Sequence, residues 1–320
     1  MVISPEQENL LTLCAVRQEK ALLDWHLLAR TCQTPAGLEA LLSGEIPEDS
    51  AAARRCLPTL RTALAGGGIE DARARARHEI EAADRAGAEL VTVLDQHYPA
   101  NLRLVPNLPP FLFHRGPLQP QDARSVAVVG TRNASDDGLK RAARMARGLV
   151  EHDVVVFSGL AKGIDASAHR ATLEAGGRTV AVMGTGIAAP VYPAENRPLA
   201  KRILEAGGAL ISQFWPSSPP AQWTFPRRNV VTSGATLGSI VIEASSTSGA
   251  KMQARIASEH GKQVFLLRSL AAAQPWARKM LDDGRAVEVT ELDDVLQRLA
   301  TPERIQQASQ QRIQLALAVQ

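Results

Sequence analysis

From residue 89 onward, short apolar runs alternate with longer stretches in which apolar residues recur at helical spacing. This alternation is typical of a βαβ array, in which a mostly parallel sheet is flanked by helices. An apolar stripe over residues 139–150, for example, predicts a helix between two strands. The pattern therefore predicts an α/β domain over residues 89–300, with strands in eight runs: 89–93, 125–130, 154–158, 179–184, 209–214, 239–244, 263–267 and 286–289.

The first 88 residues have a different pattern. Clusters such as Leu10, Leu11, Leu13 and Cys14 have helical spacing, and Pro or Gly residues interrupt such clusters repeatedly. We therefore expect a small all-helical domain of four or five short helices over residues 1–88. A long polar helix at its end, over 70–85, is predicted to act as a connector. Residues 301–320 are Gln-rich and mildly amphipathic, which predicts a C-terminal helix or tail.

Length and composition fit a soluble protein with two folded units. The chain has 320 residues, of which 45% are hydrophobic and 22% are charged. No apolar run reaches 18 residues, so no membrane-spanning segment and no membrane partner are predicted. The N-terminus lacks a basic stretch followed by an apolar one, and a cytoplasmic location is expected for that reason.

Three cysteines, Cys14, Cys32 and Cys56, all lie in the helical segment. Their odd number and the lack of a C-x-x-C pair argue against a disulfide framework and against a zinc site. We interpret them as small buried hydrophobic residues, and we predict neither a metal site nor a cofactor.

The formal charge of +3 is compatible with nucleic-acid binding without requiring it. Its distribution is more informative, because the segment 196–232 holds five basic residues against the single acid Glu205. Such an excess indicates either a site for an anionic ligand or a basic face that is simply solvated.

In a parallel α/β sheet, ligands bind beyond the carboxyl ends of the strands. Small and polar residues follow five of the predicted strands at that edge, and cations and helix N-termini accompany them. Arg132 and Lys162 follow two neighbouring runs, and Asp165 is placed to cap the helix that carries His169. Together these loops predict a broad phosphate-binding surface. Its candidate residues are Gly130, Thr131, Arg132, Ser158, Gly159, Lys162, Gly163, Asn196, Arg227, Arg228, Asn229, Ser248 and Gly249.

Several enzyme motifs do not occur in the chain. The phosphate loop G-x-x-x-x-G-K-[ST], the dinucleotide fingerprint G-x-G-x-x-G, the nucleophile elbow G-x-S-x-G and the zinc motif H-E-x-x-H are all missing. His169 is interpreted as a core or capping histidine. Glu243, at a strand end, is either an acid/base or a partner for an arginine or a loop amide.

Five strings in order and register carry a resemblance to a known family: VGTR (129–132), SGLAKGIDASAH (158–169), TVAVMGTG with VYPAEN (179–196), FPRRN (225–229) and IEASSTSGA (242–250). Over residues 98–289 the chain resembles the DNA-processing protein A (DprA/Smf) family, and the helical segment resembles the sterile-alpha-motif-like domain often found with it. The resemblance implies an extended Rossmann fold that binds single-stranded DNA and hands it to a RecA-type recombinase in natural transformation.

The resemblance also assigns roles to individual residues. It implies that Arg132 and Lys162 contact backbone phosphates, and that Arg228 and Asn229 line the same pocket with Arg227 beside them. It further implies a homodimer formed through the Rossmann domain, for which the apolar stripe over 139–150 is a candidate surface.

The chain departs from the family pattern at several points. Val230 stands where the family has a basic residue, and the strings at 251–253 and 267–269 differ from the usual ones. The chain after Ala300 is too short for the winged-helix domain of many members. We therefore expect a divergent member without that domain.

Three functions remain open at this point. The leading one is a non-catalytic, single-stranded DNA-binding protein that assists a recombinase, with Tyr192, Trp215, Trp223 and Phe225 either stacking on bases or packing within loops. The alternative is an enzyme or sensor that binds or hydrolyses nucleotides, similar to the lysine-decarboxylase-like phosphoribohydrolases, with Glu243 as its acid/base. The third is a structural role in a multiprotein assembly.

Overall fold

A computed structural model of the chain describes residues 1–18 and 21–299. Its strands are β1 Arg17–Gln18, β2 Ala21–Leu22, β3 Glu89–Thr92, β4 Phe111–Arg115, β5 Ser125–Val129, β6 Val155–Ser158, β7 Thr179–Val182, β8 Ala209–Ser212, β9 Gly238–Val241, β10 Gln263–Leu267 and β11 Val287–Val289. Its α-helices are α1 Pro5–Cys14, α2 Trp25–Thr31, α3 Pro35–Leu42, α4 Ala51–Ala65, α5 Gly68–Arg85, α6 Asp136–Glu151, α7 Ile164–Glu174, α8 Arg197–Glu205, α9 Thr224–Gly234, α10 Gly249–Glu259, α11 Arg268–Ala273, α12 Pro275–Asp282 and α13 Leu292–Leu296.

Within the described residues, nine strands form one sheet in the order β11-β10-β9-β5-β6-β7-β8-β4-β3. Strands β5 to β11 are mutually parallel, whereas β4 is antiparallel to both β8 and β3. Every residue of β5, β6, β7 and β8 is buried, as expected when helices cover both faces of a parallel sheet. The predicted α/β class with a mostly parallel sheet is confirmed.

The strand order places a topological switch point between β5 and β9. From β5 the chain proceeds outward through β6, β7 and β8, and it then returns to β9 on the other side of β5. The loops after β5 and β9 therefore leave the sheet in opposite directions and open a crevice between them. Ligands of open α/β sheets bind in such a crevice.

All eight predicted strands are present, with ends that differ from the prediction by up to three residues. The sequence pattern missed β4, which lies between β3 and β8. This strand follows directly on Pro109 and Pro110, and consecutive prolines mark a turn or loop in a sequence. Its residues nevertheless pair on both sides in antiparallel register.

The helical segment contains α1 to α5 and a short antiparallel hairpin, β1–β2, that the pattern did not predict. Trp25 of α2 packs against two aromatic residues of the α/β part of the chain. Its ring centroid lies 5.0 Å from that of Phe111 and 5.6 Å from that of Trp215. One apolar core runs through both parts of the chain. The division into domains at residues 88 and 89 therefore stays a prediction.

The helix α5 does more than connect the two parts of the chain. Its Ala72, Ala76 and Ala83 are fully buried, and the helix packs closely against α1. Alanine is short enough to let two helix backbones approach, so an Arg-rich helix with few large apolar residues still joins the core. The helix thus connects the two parts and also belongs to the core, which the sequence interpretation did not predict.

The three cysteines are buried and free, as predicted. Burial raises the pKa of the Cys32 thiol to about 12 and that of Cys14 well above its usual value. Both therefore remain uncharged thiols at neutral pH. None of the described helices is long and apolar enough to cross a membrane. The predicted C-terminal helix or tail at 301–320 lies outside the described residues.

At the amino edge of the sheet, Arg178 forms an ion pair with Asp122 that is largely shielded from solvent. Nε and Nη2 of Arg178 donate to the two carboxylate oxygens of Asp122 at 2.6 and 2.8 Å, and Nη2 also donates to the Pro117 carbonyl at 2.7 Å. The side chains are 9% and 14% exposed, respectively. Because the pair is bidentate and shielded, removing one partner leaves the other charge buried and unpaired, which costs far more than breaking a surface pair.

Replacing Arg178 with Ala leaves the Asp122 carboxylate without its partner in a site that water reaches poorly. We expect the free energy of unfolding to fall by about 3 kcal/mol, measured by denaturant titration. Arg85→Ala is the matched control, because the Arg85–Glu81 pair is exposed and its loss should cost less than about 0.5 kcal/mol. Equal losses in the free energy of unfolding would show that breaking the Arg178 pair costs no more than breaking an exposed pair.

Candidate nucleic-acid interface

A cleft of about 530 Å³ opens at the switch point, and we call it the switch-point cleft. The loop after β5, the start of α7, the first turns of α9 and α10, and the loop after β9 form its walls. The predicted residues on these walls are Gly130, Thr131, Arg132, Arg228, Asn229, Ser248 and Gly249.

The turn after β5 is held close to β9 by backbone contacts. The Thr131 amide donates to the Glu243 carbonyl at 2.7 Å. A Cβ on Gly130 would lie 2.9 Å from that same carbonyl and would overlap the Ile164 side chain. Only glycine fits here, which is why a residue without a side chain follows the strand.

Arg132 lies exposed on the rim of the cleft, above an aromatic pair. Its guanidinium carbon is 5.3 Å from the Phe225 ring centroid, and Phe225 is 5.4 Å from the Tyr192 ring. Gly184 makes room for Phe225, because a Cβ there would come 2.6 Å from the ring. Tyr192 is 47% exposed. The result is a row of one cation and two rings with an accessible aromatic face.

Lys162 lies on the neighbouring loop, as the sequence predicts for consecutive parallel strands. Together with Arg132, Tyr192 and Phe225 it lines a small cavity beside the switch-point cleft. Its ammonium group pairs with Glu195 at 2.6 Å, and both side chains are about half exposed. Any phosphate that approaches Lys162 therefore competes with a carboxylate.

Arg228 lies beneath the cleft, where it is almost inaccessible. A Cβ on Gly159 would overlap its guanidinium, so the guanidinium occupies the space that the glycine leaves. Its Nη1 lies 3.9 Å from the Asp165 carboxylate and 3.4 Å from the Val182 carbonyl. The Arg228 and Asp165 side chains are 10% and 5% exposed, respectively.

Asp165 does not cap α7 as the sequence suggested. The helix begins at Ile164 after Gly163, whose φ of +73° lets the chain turn, so Asp165 is already the second helical residue. Its carboxylate accepts from the Gly159 amide at 3.1 Å instead. Burial raises the pKa of Asp165, whereas the charge of Arg228 and nearby backbone amides lower it.

Two predicted residues lie below the surface and hold loops in place. Ser158 Oγ donates to the Val128 carbonyl at 2.6 Å, and Asn196 Nδ2 donates to the Leu160 carbonyl at 2.8 Å. Asn196 is 1% exposed. Neither residue lines the switch-point cleft, so the structure gives both a supporting position rather than a contact position.

Arg227 points away from its neighbour Arg228. Consecutive residues of a helix are about 100° apart around its axis, so the two side chains of α9 leave in different directions. The Arg227 guanidinium lies 5.3 Å from the Trp223 ring, in a separate cleft. The structure therefore does not bring Arg227 together with Arg132 and Lys162.

The two residues weighed as acid/base candidates are both engaged elsewhere. Glu243 accepts from Ser135 Oγ at 2.8 Å and from the Ser135 amide at 3.2 Å, so it holds the start of α6. His169 is fully buried and contacts Thr179 Oγ1 at 2.7 Å. Among the described residues, no three His, Cys, Asp or Glu side chains are grouped as a metal site requires.

Four further residues on the cleft wall are not among the predicted candidates, namely Gln222, Thr247, Met252 and Gln253. Gln222 and Thr247 lie in loops that the sequence already indicated, whereas Met252 and Gln253 were missed. Met252 and Gln253 are the fourth and fifth residues of α10, just after the predicted loop. Extending each predicted loop by one helical turn would have included them. The Gln253 side-chain oxygen is buried and has no hydrogen-bond partner among the described residues.

Comparison with known proteins agrees with this fold. The family model of DNA recombination-mediator protein A matches residues 89–300. The chain belongs to this family. Protein Smf of Escherichia coli K12 is 36% identical over 213 residues, or 66% of this chain and 56% of its own length. DNA processing protein DprA of Streptococcus pneumoniae R6 is 39% identical over 176 residues, or 55% of this chain and 61% of its own length.

The chain thus spans about half to three fifths of the length of these relatives. Solved structures extend the comparison. The X-ray structure of DprA from S. pneumoniae covers 94% of this chain and all of that one, with a TM-score of 0.72 and 28% identity. A DprA structure from Helicobacter pylori covers 67% of this chain and 97% of its own, with a TM-score of 0.59 and 21% identity, which shows the shared fold.

The contact between Gly159 and Arg228 is directly testable. In Gly159→Ala, the added methyl group displaces the guanidinium from Asp165, and we expect the free energy of unfolding to fall by about 1–3 kcal/mol. Gly66→Ala is the control, since a Cβ there meets nothing closer than 3.7 Å. Chemical denaturation of both variants checks this, and an unchanged midpoint for Gly159→Ala would contradict the packing described.

Burial of His169 predicts a specific pH dependence of stability. Burial lowers the pKa of His169 from 6.5 to about 3, so below pH 6.5 the unfolded state takes up a proton that the folded state excludes. Stability should therefore fall on acidification by up to about 1.4 kcal/mol per pH unit from this group. His169→Gln should flatten the profile between pH 6.5 and 3 in urea titrations, and a parallel profile would refute the assignment.

Proposed function

We propose that this chain binds single-stranded DNA across the switch-point cleft, without sequence preference and without catalysing a reaction. The row formed by Arg132, Phe225 and Tyr192 is the observation that carries the proposal. An open aromatic face beside a cation suits an unpaired base and its phosphate, and every base has a face that can stack. In a duplex the bases are already stacked on each other, so duplex DNA cannot use this surface in the same way.

The neighbouring groups support the same ligand. Lys162 lies on the adjoining cavity, and the polar loop residues Thr131, Ser248 and Gly249 face the cleft. Such groups bind phosphate oxygens and carry no sequence information. The structure of the H. pylori relative concerns that protein's single-stranded DNA binding mode. The family description, a recombination mediator, agrees with a ligand of this kind.

The proposal extends to the biological setting. We infer that the protein acts in the cytoplasm, that it hands single-stranded DNA to a RecA-type recombinase during DNA uptake and recombination, and that it works as a homodimer. The family description, a DNA recombination mediator, supports the role in recombination. The apolar stripe on α6 does not support the dimer, because Ala142, Ala146 and Leu149 are fully buried within the chain.

The contacts of Glu243 count against the alternative, an enzyme that hydrolyses nucleotides. A general base needs a free carboxylate within reach of its substrate. Both oxygens of Glu243 face Ser135 at the start of α6, and Glu243 is not among the residues that line the cleft. We therefore propose a binding function.

Replacing Arg132 or Lys162 with Ala tests the position of the DNA. Each variant should bind unrelated single-stranded sequences more weakly by about the same factor. Each should also reduce the salt dependence of the affinity by roughly 0.7 in log–log slope, the counterion release expected for one phosphate contact. Fluorescence anisotropy over a range of salt concentrations measures both quantities. Glu195→Gln should strengthen binding, because it frees Lys162 from its carboxylate partner.

Lys279→Ala is the control, since Lys279 is 76% exposed on α12 and does not line the switch-point cleft. Arg178 is unsuitable for this purpose because of its buried ion pair. Unchanged affinity and salt slope in both Arg132→Ala and Lys162→Ala, with a loss in Lys279→Ala, would place the DNA on a different surface.

A further inference from the structure

A second cleft lies on the other side of the α9 N-terminal turn, between the helical segment and the sheet. It has a volume of about 740 Å³, and we call it the helical-side cleft. Its chemically distinctive residues are Arg17, Trp25, Arg55, Trp215, Trp223 and Arg227. We propose that this cleft is a second nucleotide-binding site, occupied by the same single strand that fills the switch-point cleft. The inference rests on the proposed function.

Trp223 offers an open aromatic surface in this cleft. It is 56% exposed, whereas Trp25, Trp215 and Trp276 are each partly buried. Its ring stands edge-on against the buried Phe214, with centroids 5.8 Å apart and planes at 80°. That contact fixes the ring while a face stays accessible. The Arg227 guanidinium lies 5.3 Å from the ring centroid, which repeats the arrangement of Arg132 and Phe225.

The charges around the cleft favour an anion. Arg17, Arg55 and Arg227 are all exposed, and among the described residues none of the three side chains has a hydrogen bond or an ion pair. Among the wall residues that the structure describes, the one acid is Asp24, whose carboxylate already accepts from the His26 and Leu27 amides at the start of α2. Unpaired guanidinium groups beside aromatic rings match the phosphate and base of a nucleotide.

The two clefts are close enough for one strand to reach both. Gln222 and Phe225 line the switch-point cleft, whereas Trp223 lines the helical-side cleft. Likewise, the adjacent residues Arg228 and Arg227 face different clefts. Only the first turn of α9 separates the two sites, and a helix is about 10–12 Å across. A strand that leaves the rings of Tyr192 and Phe225 can therefore cross this turn and place a later base on Trp223.

Fluorescence titration of the full chain with oligo-dT of about 4 to about 16 nucleotides tests the second site. The shortest oligonucleotides should fill the switch-point cleft and leave tryptophan emission nearly unchanged. Longer ones should quench the emission and bind more tightly. Trp223→Ala should abolish that quenching. It should also lower the affinity for the longest oligonucleotide by about tenfold and leave the affinity for the shortest unchanged. Arg55→Ala should lower the salt slope by roughly 0.7 for long oligonucleotides alone.

Two variants serve as controls. Trp223→Phe keeps an aromatic face and should restore most of the affinity for long oligonucleotides. Trp276→Phe removes a tryptophan that does not line the helical-side cleft and should preserve the quenching. Suppose that Trp223→Ala changes neither the quenching nor the rise of affinity with length, while Arg132→Ala still lowers the affinity for the shortest oligonucleotide. The proposal of a second site is then wrong, and the proposed function stands. If the unmodified chain binds no oligonucleotide of any length, both are wrong.

Discussion

The Arg228 guanidinium fills the space beside Gly159, and three loops depend on its position. It lies against the loop after β6, faces the Val182 carbonyl at the end of β7, and approaches Asp165 at the start of α7. Breaking a buried charge pair is costly, so these contacts fix the loops relative to one another. Arg132 and Lys162 project from the framework that results. The buried Arg228 thus positions the loops, and the exposed Arg132 and Lys162 are the cations that a ligand can contact.

The apolar pattern was sufficient to predict the parallel sheet, and parallel strands place their carboxyl ends at one edge. Arg132, Lys162 and Ser248 were found at that edge for this reason. The pattern could not predict which way a side chain points within a helix turn. Arg227 and Arg228 look equivalent in sequence, yet they face separate clefts because the rotation of α9 is set by packing. Likewise, β4 was missed because its pairing depends on β3 and β8, which are distant in sequence.

Charge is distributed unevenly among the basic residues near the two clefts. Lys162 is partnered by Glu195 and Arg228 by Asp165, whereas Arg132, Arg227 and Arg55 are exposed and the first two lie over aromatic rings. Surface ion pairs contribute little to stability, so a phosphate can replace Glu195 at low cost. The modest net charge of +3 therefore understates the local attraction for a polyanion.

The central claim is that the switch-point cleft recognises an unpaired strand. Competition against a labelled single-stranded oligonucleotide measures this most directly, with unlabelled single strand, the same sequence as duplex, and a mononucleotide as competitors at one salt concentration. We expect the single strand to compete at least about tenfold better than the duplex, because only unpaired bases can stack on Tyr192 and Phe225. The mononucleotide should compete weakly. Displacement of the labelled strand by the mononucleotide at concentrations equal to those of the single strand would contradict this recognition of an unpaired strand.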